Sequence, residues 1–328
     1  TLTLNEDGQI AANELAAGET LTLTADYTVS NTPDDGGTPE TATATLTMTI
    51  TGVNDALVAN DDTDNSFTET EVEGGTAVAG TISVLTNDSE PDTTDLPLEF
   101  TPPTVAAFDG TTELGTVAFA ADGTYTLTLN EDGQIAANEL AAGETLTLAA
   151  DYTVSNSPDD GVTPPETTTA TLTIDINGVN DALVAGDDSD SFTESQVEGG
   201  ATVNGTTNVL ANDFDPDVSD QPVSVVAATN VDAVNGAGTV LGLVDFAANG
   251  TYTLTLNAAG QAAASALDAG ETLTLTADYT ATNSALPTAD TTVATLTINI
   301  TGENDALVAG DDSDSFTESQ VEGGATVN

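Results

Sequence analysis

Apolar and polar residues alternate strictly along several segments of the chain. In one of them Leu146 and Leu148 flank Thr147, and the same alternation recurs over residues 125–129 and 171–176. A period of two residues is typical of a β-strand with one buried and one solvated face, and threonine suits the solvated face of a pleated sheet. The pattern predicts an all-β protein.

Turn signals separate these strands. Ala121-Asp122-Gly123 predicts a hairpin between Val117–Phe119 and Tyr125–Leu129. Only residues 136–142 suggest a helical turn. About seven short strands in each 100 to 125 residues, joined by turns rich in Gly, Asp and Pro, are typical of an immunoglobulin-like β-sandwich. We therefore expect small, aliphatic sandwich cores.

The sequence is internally repeated. Residues 1–23 recur unchanged at 126–148, and residues 181–204 recur unchanged at 305–328. A marker, Gly-x-Asn-Asp-Ala, begins at residues 52, 178 and 302, which are 126 and 124 residues apart. A unit of this length is a whole domain rather than a small solenoid repeat.

Division at the marker predicts four pieces joined end to end. Residues 1–54 are the C-terminal part of one repeat, 55–180 and 181–304 are complete sandwich repeats, and 305–328 begin a further repeat. We expect the chain to be a section of a longer repetitive protein. Thr1–Leu4 lacks its hairpin partner, which a neighbouring chain could donate by strand addition.

Charge changes the picture, because the chain carries 55 acidic residues and no Lys, Arg or His, for a net charge of −55. We expect no binding to nucleic acid or to anionic membranes, since both need basic groups. The high charge alone would indicate disorder, but 38% of the residues are hydrophobic and alternate regularly. No apolar stretch approaches the roughly 18 residues of a membrane span.

The missing residue types also exclude most catalytic chemistry. Without His, Cys or Lys there is no activated Ser or Cys, no Schiff base, no P-loop and none of the usual zinc ligands. A carboxylate pair for glycoside hydrolysis or an aspartic dyad remains formally open. Because the acidic motifs recur in every repeat, we expect the protein not to be an enzyme. The oxygen ligands that remain favour hard cations, calcium above all.

Six segments of the chain carry a resemblance to a known family: Gly123–Leu127, Leu140–Thr145, Tyr152–Ser155, Ala170–Ile174, Gly178–Ala182 and Val209–Asp213 with Asp215-Pro216-Asp217. With them the chain resembles the VCBS and bacterial cadherin-like repeats of large Gram-negative surface adhesins, and the resemblance covers essentially the whole chain. Leu57, Leu183 and Leu307 stand where that family usually has Pro. The resemblance implies secretion, tandem display at a bacterial cell surface, and calcium-dependent rigidity.

Comparison of the repeat copies divides the acidic residues into those that are lost in a later copy and those that persist in every copy. Asn130-Glu131-Asp132-Gly133 becomes Asn257-Ala258-Ala259-Gly260, so those acids are interpreted as turn formers and solvating charge. Acids near the marker persist in every copy, in a layout that resembles the junction ligands of cadherins. The predicted calcium ligands are Asn54, Asp55, Asn180, Asp181, Asn304 and Asp305 at the marker, Asp61, Asp62, Asp187, Asp188, Asp311 and Asp312 after it, Glu19, Glu144 and Glu271 in the corner loop, and Asn87, Asp88, Asp92, Asn212, Asp213, Asp215 and Asp217 in the Asn-Asp loop.

Three sequence features have simpler interpretations. Asp213-x-Asp215-x-Asp217 begins like an EF-hand, but Val218 and Ser224 occupy the positions of the invariant Gly and the bidentate Glu. The junction acids could also be plain solvating charge, as in a salt-adapted protein. A recurring Phe in Ser-Phe-Thr-Glu is expected to anchor the core or a sheet edge rather than stack on a sugar; its copies are Phe67, Phe192 and Phe316.

Three functions remain from the sequence. The first is a calcium-stiffened stalk of a secreted adhesin or extracellular fibre, whose partners are neighbouring repeats. The second is a self-assembling filament or surface-layer subunit, whose partners are other copies of the chain. The third is a ligand-binding adhesive module, for which the divergent stretch 227–243 is the only candidate and has no aromatic residue.

Overall fold

The computed structural model describes residues 1–100, 103–157, 165–284, 289–305, 309–322 and 326. The chain forms two compact, mostly β units. The first contains Thr1–Ala182 and Asp215–Gln221, and the second contains Leu183–Phe214, Pro222–Ser284 and the described residues after 288. In the described part of the chain no helix has the length and apolarity that crossing a membrane requires.

Short strands make up most of both units, as the alternation predicts. In the first unit they are β1 (Thr20–Ser30), β2 (Thr41–Thr51), β3 (Asp62–Thr68), β4 (Val78–Ala79), β5 (Glu99–Phe100), β6 (Thr104–Asp109), β7 (Thr112–Phe119), β8 (Tyr125–Leu129), β9 (Thr145–Ser155) and β10 (Thr167–Asn177). In the second they are β11 (Asp188–Thr193), β12 (Thr202–Asn204), β13 (Ser224–Val225), β14 (Ala228–Asn235), β15 (Val240–Phe246), β16 (Tyr252–Leu256), β17 (Thr272–Thr282) and β18 (Thr291–Thr301).

The two complete repeats have the same topology. The strand order is β3-β10-β9-β6-β7-β8-β4 in one and β11-β18-β17-β14-β15-β16-β12 in the other, with β5 and β13 paired to β9 and β17. Neighbouring strands are antiparallel except at one edge, where β3 runs parallel to β10 and β11 runs parallel to β18. The all-β sandwich fold is therefore confirmed, and the divergent stretch 227–243 mostly forms the β14–β15 hairpin.

The alternation explains which face of each strand is buried. In β10, Leu172, Ile174 and Ile176 are completely buried, while the residues between them are more exposed. They join Leu148 and Val154 of β9 in the core of the first repeat. The corresponding residues of β17 and β18 form the core of the second. Burying each aliphatic side chain contributes roughly 1.5–3 kcal/mol, and so the register is strongly fixed.

Short helices connect the strands. α1 (Glu6–Asn13), α3 (Glu131–Asn138) and α5 (Ala258–Ala264) each begin after an Asn whose side chain accepts the N–H of the third helical residue, a Gly. α2 (Glu69–Val72), α4 (Glu194–Val197) and α6 (Glu318–Val321) each begin with a Thr capping box. The helical turn predicted at 136–142 thus begins earlier, because the cap at Asn130 fixes its start. The hairpin predicted between β7 and β8 is confirmed, with Gly123 at a φ of 77°.

Each complete core contains a buried carboxylate. The Asp64 side chain accepts hydrogen bonds from the Tyr125 hydroxyl at 2.8 Å, from the Thr81 N–H at 2.8 Å and from the Ser66 N–H at 3.0 Å. Although burial opposes ionisation, the hydrogen bonds hold the pKa of Asp64 below its usual value. Asp190 repeats this arrangement with Tyr252 and Thr206, and its pKa is also lowered.

A tyrosine on β9 ties the strands to the first loops of the repeat. The Tyr152 hydroxyl lies 2.7 Å from an Asp62 carboxylate oxygen and 3.0 and 3.2 Å from the carbonyls of Asn60 and Val84. Tyr279 makes the corresponding contacts in the second repeat. Tyr27, at the same position of the N-terminal hairpin, is half exposed.

Replacing Tyr152 with Phe is expected to lower the free energy of unfolding of the first repeat by about 1–3 kcal/mol, because a partly buried Asp62 oxygen loses its donor. Tyr27→Phe is the matched control and should change stability by less than about 0.5 kcal/mol. Urea denaturation followed by tyrosine fluorescence measures both. Equal losses in the two variants would contradict a stabilising role for the Tyr152 hydroxyl.

Candidate metal centre

Three carboxylates meet where β10 leads into the marker. One oxygen each from Glu69, Glu73 and Asp181 lies within 4.8 Å of the others; we call this group the Asp181 cluster. Glu69 is the first residue of α2, whose Thr68–Glu71 capping box fixes its position. The side chain of Asn177 donates to the carbonyl of Phe67 at 3.1 Å, which holds the end of β10 beside β3.

Glu69 is completely buried, yet only half of its carboxylate is satisfied. Its Oε2 accepts the Val179 N–H at 3.0 Å, whereas Oε1 is buried with no hydrogen-bond partner among the described residues. Burial raises the pKa of Glu69 to about 7, and the nearby charges of Asp181 and Glu73 add to the effect. A buried, unsatisfied carboxylate is costly without a cation.

A second group of three carboxylates lies on the Asp-Pro-Asp loop. Oxygens of Asp215, Asp217 and Asp220 lie within 4.8 Å of one another, and we call this group the Asp217 cluster. Asp217 is completely buried, and its Oδ1 has no hydrogen-bond partner among the described residues. Burial raises the pKa of Asp217 to about 6, helped by the charges of Asp181, Asp215 and Asp220.

Asp181 links the two clusters. Its backbone N–H donates to Asp217 Oδ2 at 3.0 Å. Burial raises the pKa of its carboxyl. The negative charges of Glu73 in one cluster and of Asp215 in the other raise this pKa further. The Val218 N–H donates to the carbonyl of Glu139 at 3.2 Å and anchors the loop. All six carboxylates belong to the first compact unit.

This donor set fits a hard divalent cation. Calcium takes six to eight oxygen ligands, including carboxylates, and the two clusters offer six carboxyl groups in which two buried oxygens have no other described partner. No basic side chain exists in the sequence to neutralise them. Glu69, Glu73 and Asp181 in one cluster, and Asp215, Asp217 and Asp220 in the other, are therefore the residues that would hold such ions.

The second unit repeats the first cluster. Oxygens of Glu194, Glu198 and Asp305 lie within 4.8 Å of one another; this is the Asp305 cluster. Glu194 Oε2 accepts the Glu303 N–H at 3.2 Å, and Oε1 is buried without a described partner. The recurrence of the half-satisfied glutamate shows that the arrangement belongs to the repeat.

Asp55 and Asp92 repeat the pairing of Asp181 with Asp217. The Asp55 N–H donates to Asp92 Oδ2 at 2.9 Å, and Asp92 Oδ1 is buried without a described partner. Burial raises the pKa of Asp92, and the charges of Asp55, Glu166 and Glu19 add to it. The predicted ligand Glu19 therefore lies close enough to Asp92 for its charge to raise the pKa of that carboxyl.

The remaining predicted ligands lie away from these clusters. Asp62 and Asp88 meet around Tyr152, and Asp188 and Asp213 meet around Tyr279; burial raises the pKa of all four. The other predicted residues of this region form hydrogen bonds within their own repeat. The carboxylates of Asp61 and Asp187 accept the backbone N–H groups of Thr171 and Thr295, respectively. The side-chain amides of Asn87 and Asn212 donate to the backbone carbonyls of Asp61 and Asp187.

The corner glutamates close their own turns. Glu144 accepts the Ala141 N–H at 3.0 Å, and Glu19 and Glu271 accept the corresponding N–H groups of Ala16 and Asp268. The marker amides of Asn54, Asn180 and Asn304 each donate to the carbonyl of the following Asp. Asp311 and Asp312 are exposed. Leu307 lies outside the described residues, whereas Leu57 and Leu183 are buried.

Sequence reasoning missed five of the nine residues in the three clusters. Glu69 and Glu194 belong to the recurring Ser-Phe-Thr-Glu motif, in which the sequence predicts a role only for the Phe. Glu73 and Glu198 recur before Gly-Gly, and Asp220 recurs three residues after Asp217, as Asp95 follows Asp92. The signal was present as recurrence, but strand pairing was needed to bring residues 110 positions apart together.

Comparison with known proteins gives a fold likeness and no family. No protein-family model matches the chain, and no curated protein sequence matches it. Similar solved structures are mainly cadherin ectodomains. Mouse protocadherin-24 EC1-3 matches at a TM-score of 0.35 and 15% identity over 85% of this chain and 80% of that one. Protocadherin gammaB7 EC3-6 matches at 0.38 and 12%, over 85% and 58%.

One similar structure is an enzyme. The endo-fucoidan hydrolase MfFcnA4 matches at a TM-score of 0.23 and 12% identity, over 85% of this chain and 34% of that one. The likeness to cadherin ectodomains is distant and concerns the fold alone.

In cation-free buffer, thermal stability is expected to rise as the pH falls from 8 to 5. The folded-state pKa of Glu69 (about 7) and of Asp217 (about 6) exceeds the unfolded value, so protonation favours the folded state in this window. Asp64 and Asp190 have lowered pKa values and act oppositely, but only below about pH 4.

Melting temperatures in excess chelator measure this dependence. Glu69→Gln and Asp217→Asn should each flatten the rise between pH 8 and 5, because they remove the group that titrates. A wild-type melting temperature that falls steadily with pH over this range would contradict the raised pKa values.

Proposed function

We propose that the protein is a segment of an extracellular tandem-repeat stalk in which calcium bound by the junction acids limits bending. The observation that carries the proposal is the pair of buried, unsatisfied oxygens on Glu69 and Asp217, joined through Asp181. The cadherin-like fold agrees with an adhesion or stalk role. A bacterial cell surface is the proposed location, from the resemblance to Gram-negative adhesin repeats.

The mechanism is electrostatic. At a net charge of −55 the chain repels itself, and the Asp181 and Asp217 clusters concentrate that repulsion in six carboxylates. Residues 215–221 belong to the first unit, although the chain on either side of them belongs to the second. A cation that fixes this loop to Glu69 and Asp181 would therefore limit movement of the chain that continues from it. Neighbouring repeats are the partners in this proposal.

Calcium suits the site better than magnesium does. Calcium accepts irregular sets of six to eight oxygens, whereas magnesium demands a compact octahedron and gives up its water reluctantly. Extracellular calcium modules typically bind with dissociation constants of roughly 10⁻⁴ to 10⁻³ M. Such an affinity keeps the site filled in millimolar calcium and empty at cytosolic concentrations.

Calcium is expected to bind through the cluster residues specifically. Asp217→Asn and Asp181→Ala should each remove at least one ion per chain in isothermal titration calorimetry, because each change removes one carboxylate from a cluster of three. Calcium at 10 mM should stabilise the wild type by about 1.5–3 kcal/mol per site, given the affinity above.

Asp132→Ala is the matched control. Asp132 lies exposed in the first turn of α3, at a position that is Ala259 in the later copy. Its loss should leave stoichiometry and affinity unchanged. If the junction variants and this control bound calcium equally, the acids would be a solvating coat and the proposed site would be wrong.

Calcium removal is expected to make the chain bend more freely. Small-angle scattering in millimolar calcium should give a larger maximum dimension than scattering in excess chelator, because the uncompensated carboxylates repel one another. Magnesium at the same ionic strength is the control for general screening and should restore little of the dimension. Identical profiles with calcium and with chelator would contradict calcium-dependent stiffening.

A further inference from the structure

The sequence contains four Asn-Gly dipeptides, and all of them lie in the two complete repeats. An asparagine followed by glycine is chemically labile, because the glycine backbone nitrogen can attack the side-chain amide carbon and glycine has no Cβ to hinder the approach. The reaction needs an available glycine N–H, room for the peptide to turn, and access to water. The dipeptides are Asn177-Gly178, Asn204-Gly205, Asn235-Gly236 and Asn249-Gly250.

In three of the four dipeptides the fold holds the glycine N–H in a backbone hydrogen bond. Such a nitrogen attacks the side-chain amide only after that hydrogen bond has been broken, so the bond slows the reaction in the folded state. The donors and their acceptor carbonyls are Gly178 to Glu144 at 3.0 Å, Gly205 to Tyr252 at 2.9 Å and Gly250 to Ala247 at 3.0 Å.

The same three glycines are tightly packed. A Cβ placed on Gly205 would clash with the ring of Tyr252, and one placed on Gly250 would clash with the side chain of Asn208. A Cβ on Gly178 would lie 2.5 Å from a neighbouring carbonyl oxygen. Because ring closure between the side chain and the next nitrogen turns the glycine peptide, this packing also opposes the reaction.

Asn235-Gly236 differs from the other three in each of these respects. It lies at the tip of the β14–β15 hairpin, where Gly236 and the residues after it are exposed. Among the described residues the Gly236 N–H has no hydrogen-bond partner. A Cβ placed on Gly236 would meet no atom within 4 Å. The nucleophile is therefore available, has room to move, and is in contact with water.

Hydrogen bonds in the turn also activate the side-chain amide of Asn235. Its Oδ1 accepts the N–H of Ala237 at 3.1 Å and the N–H of Thr239 at 3.0 Å. The first of these contacts forms an Asx turn, which folds the amide back toward the next peptide. Two N–H donors on one oxygen stabilise the negative charge that develops there during attack. The amide of Asn177, in contrast, is held by two carbonyls of β3.

We propose that Asn235 is a site of spontaneous deamidation in the folded protein. The Gly236 nitrogen loses its proton to solvent and forms a bond to Cγ of Asn235. The bond from Cγ to Nδ2 breaks, and ammonia leaves with a proton taken from solvent. One water then opens the cyclic imide: cleavage at Cγ gives aspartate, and cleavage at the backbone carbonyl carbon gives isoaspartate. One water is consumed and one ammonia is released, with no oxidation or reduction.

The two products affect the hairpin differently. Aspartate at position 235 keeps an acceptor oxygen for the N–H groups of Ala237 and Thr239, and the corresponding hairpin of the first repeat, β6–β7, carries Asp109-Gly110 in its turn. Isoaspartate adds a methylene to the backbone and moves the carboxylate onto Cα, so the turn contacts are lost. Both products add one negative charge to the second repeat.

Peptide mapping of the full chain after incubation in mildly alkaline buffer tests the proposal. In the folded chain Asn235 should deamidate roughly tenfold faster than the other three asparagines, as expected when one protecting hydrogen bond is absent. In guanidinium chloride all four should react at similar rates, because the protection comes from the fold. An endoproteinase that cleaves before aspartate places the four dipeptides in separate peptides, residues 175–180, 190–212, 232–244 and 245–267. Aspartate at position 235 creates a new cleavage site, whereas isoaspartate does not.

Gly236→Ala is the matched variant. The φ of Gly236 lies outside the left-handed region and the space around it is open, so the variant should keep the circular dichroism spectrum and melting temperature of the wild type. Its methyl group hinders the attacking nitrogen and should slow deamidation at Asn235 by roughly tenfold or more. Asn249 of the same chain is the internal control and should be unaffected. Equal rates at the four sites in the folded wild type, or a Gly236→Ala variant that deamidates like the wild type, would overturn the proposal.

Discussion

Every buried carboxylate in this protein must be compensated without a basic side chain, because the sequence contains none. The available compensators are backbone N–H groups, hydroxyls, side-chain amides, protons and external cations. Much of the architecture follows from how these are distributed. Where enough donors converge, a carboxylate stabilises the core; where they do not, the site needs a cation or a proton.

The two outcomes occur within the first compact unit. Asp64 accepts hydrogen bonds from two backbone N–H groups and from hydroxyls, and its pKa is lowered despite burial. Glu69 and Asp217 each accept one backbone N–H and leave the other oxygen buried without a described partner, and their pKa values are raised. All three side chains are at most 2% exposed, so the number of donors decides whether the pKa of the buried carboxylate is lowered or raised.

The sequence predicts the fold well because alternation and turns are local signals. The β7–β8 hairpin and the buried faces of β9 and β10 follow from a period of two and from Asp-Gly. The acidic clusters of the candidate metal centre were predicted less completely. Asp181 and Asp217 were found as recurring acids, but Glu69 lies 110 residues from Val179, and only the parallel pairing of β3 with β10 brings them together. Parallel pairing at an edge has no local sequence signature.

Identical sequences in different surroundings separate local from tertiary causes. Residues 1–23 and 126–148 are the same, and both form the same eight-residue helix after an Asn cap, so the cap specifies α1 and α3 without help from the sandwich. Burial behaves differently: Ala137 is completely buried, whereas α1 buries none of its residues. Helix formation in the repeat is therefore a local property, whereas burial depends on packing between strands that are distant in the sequence.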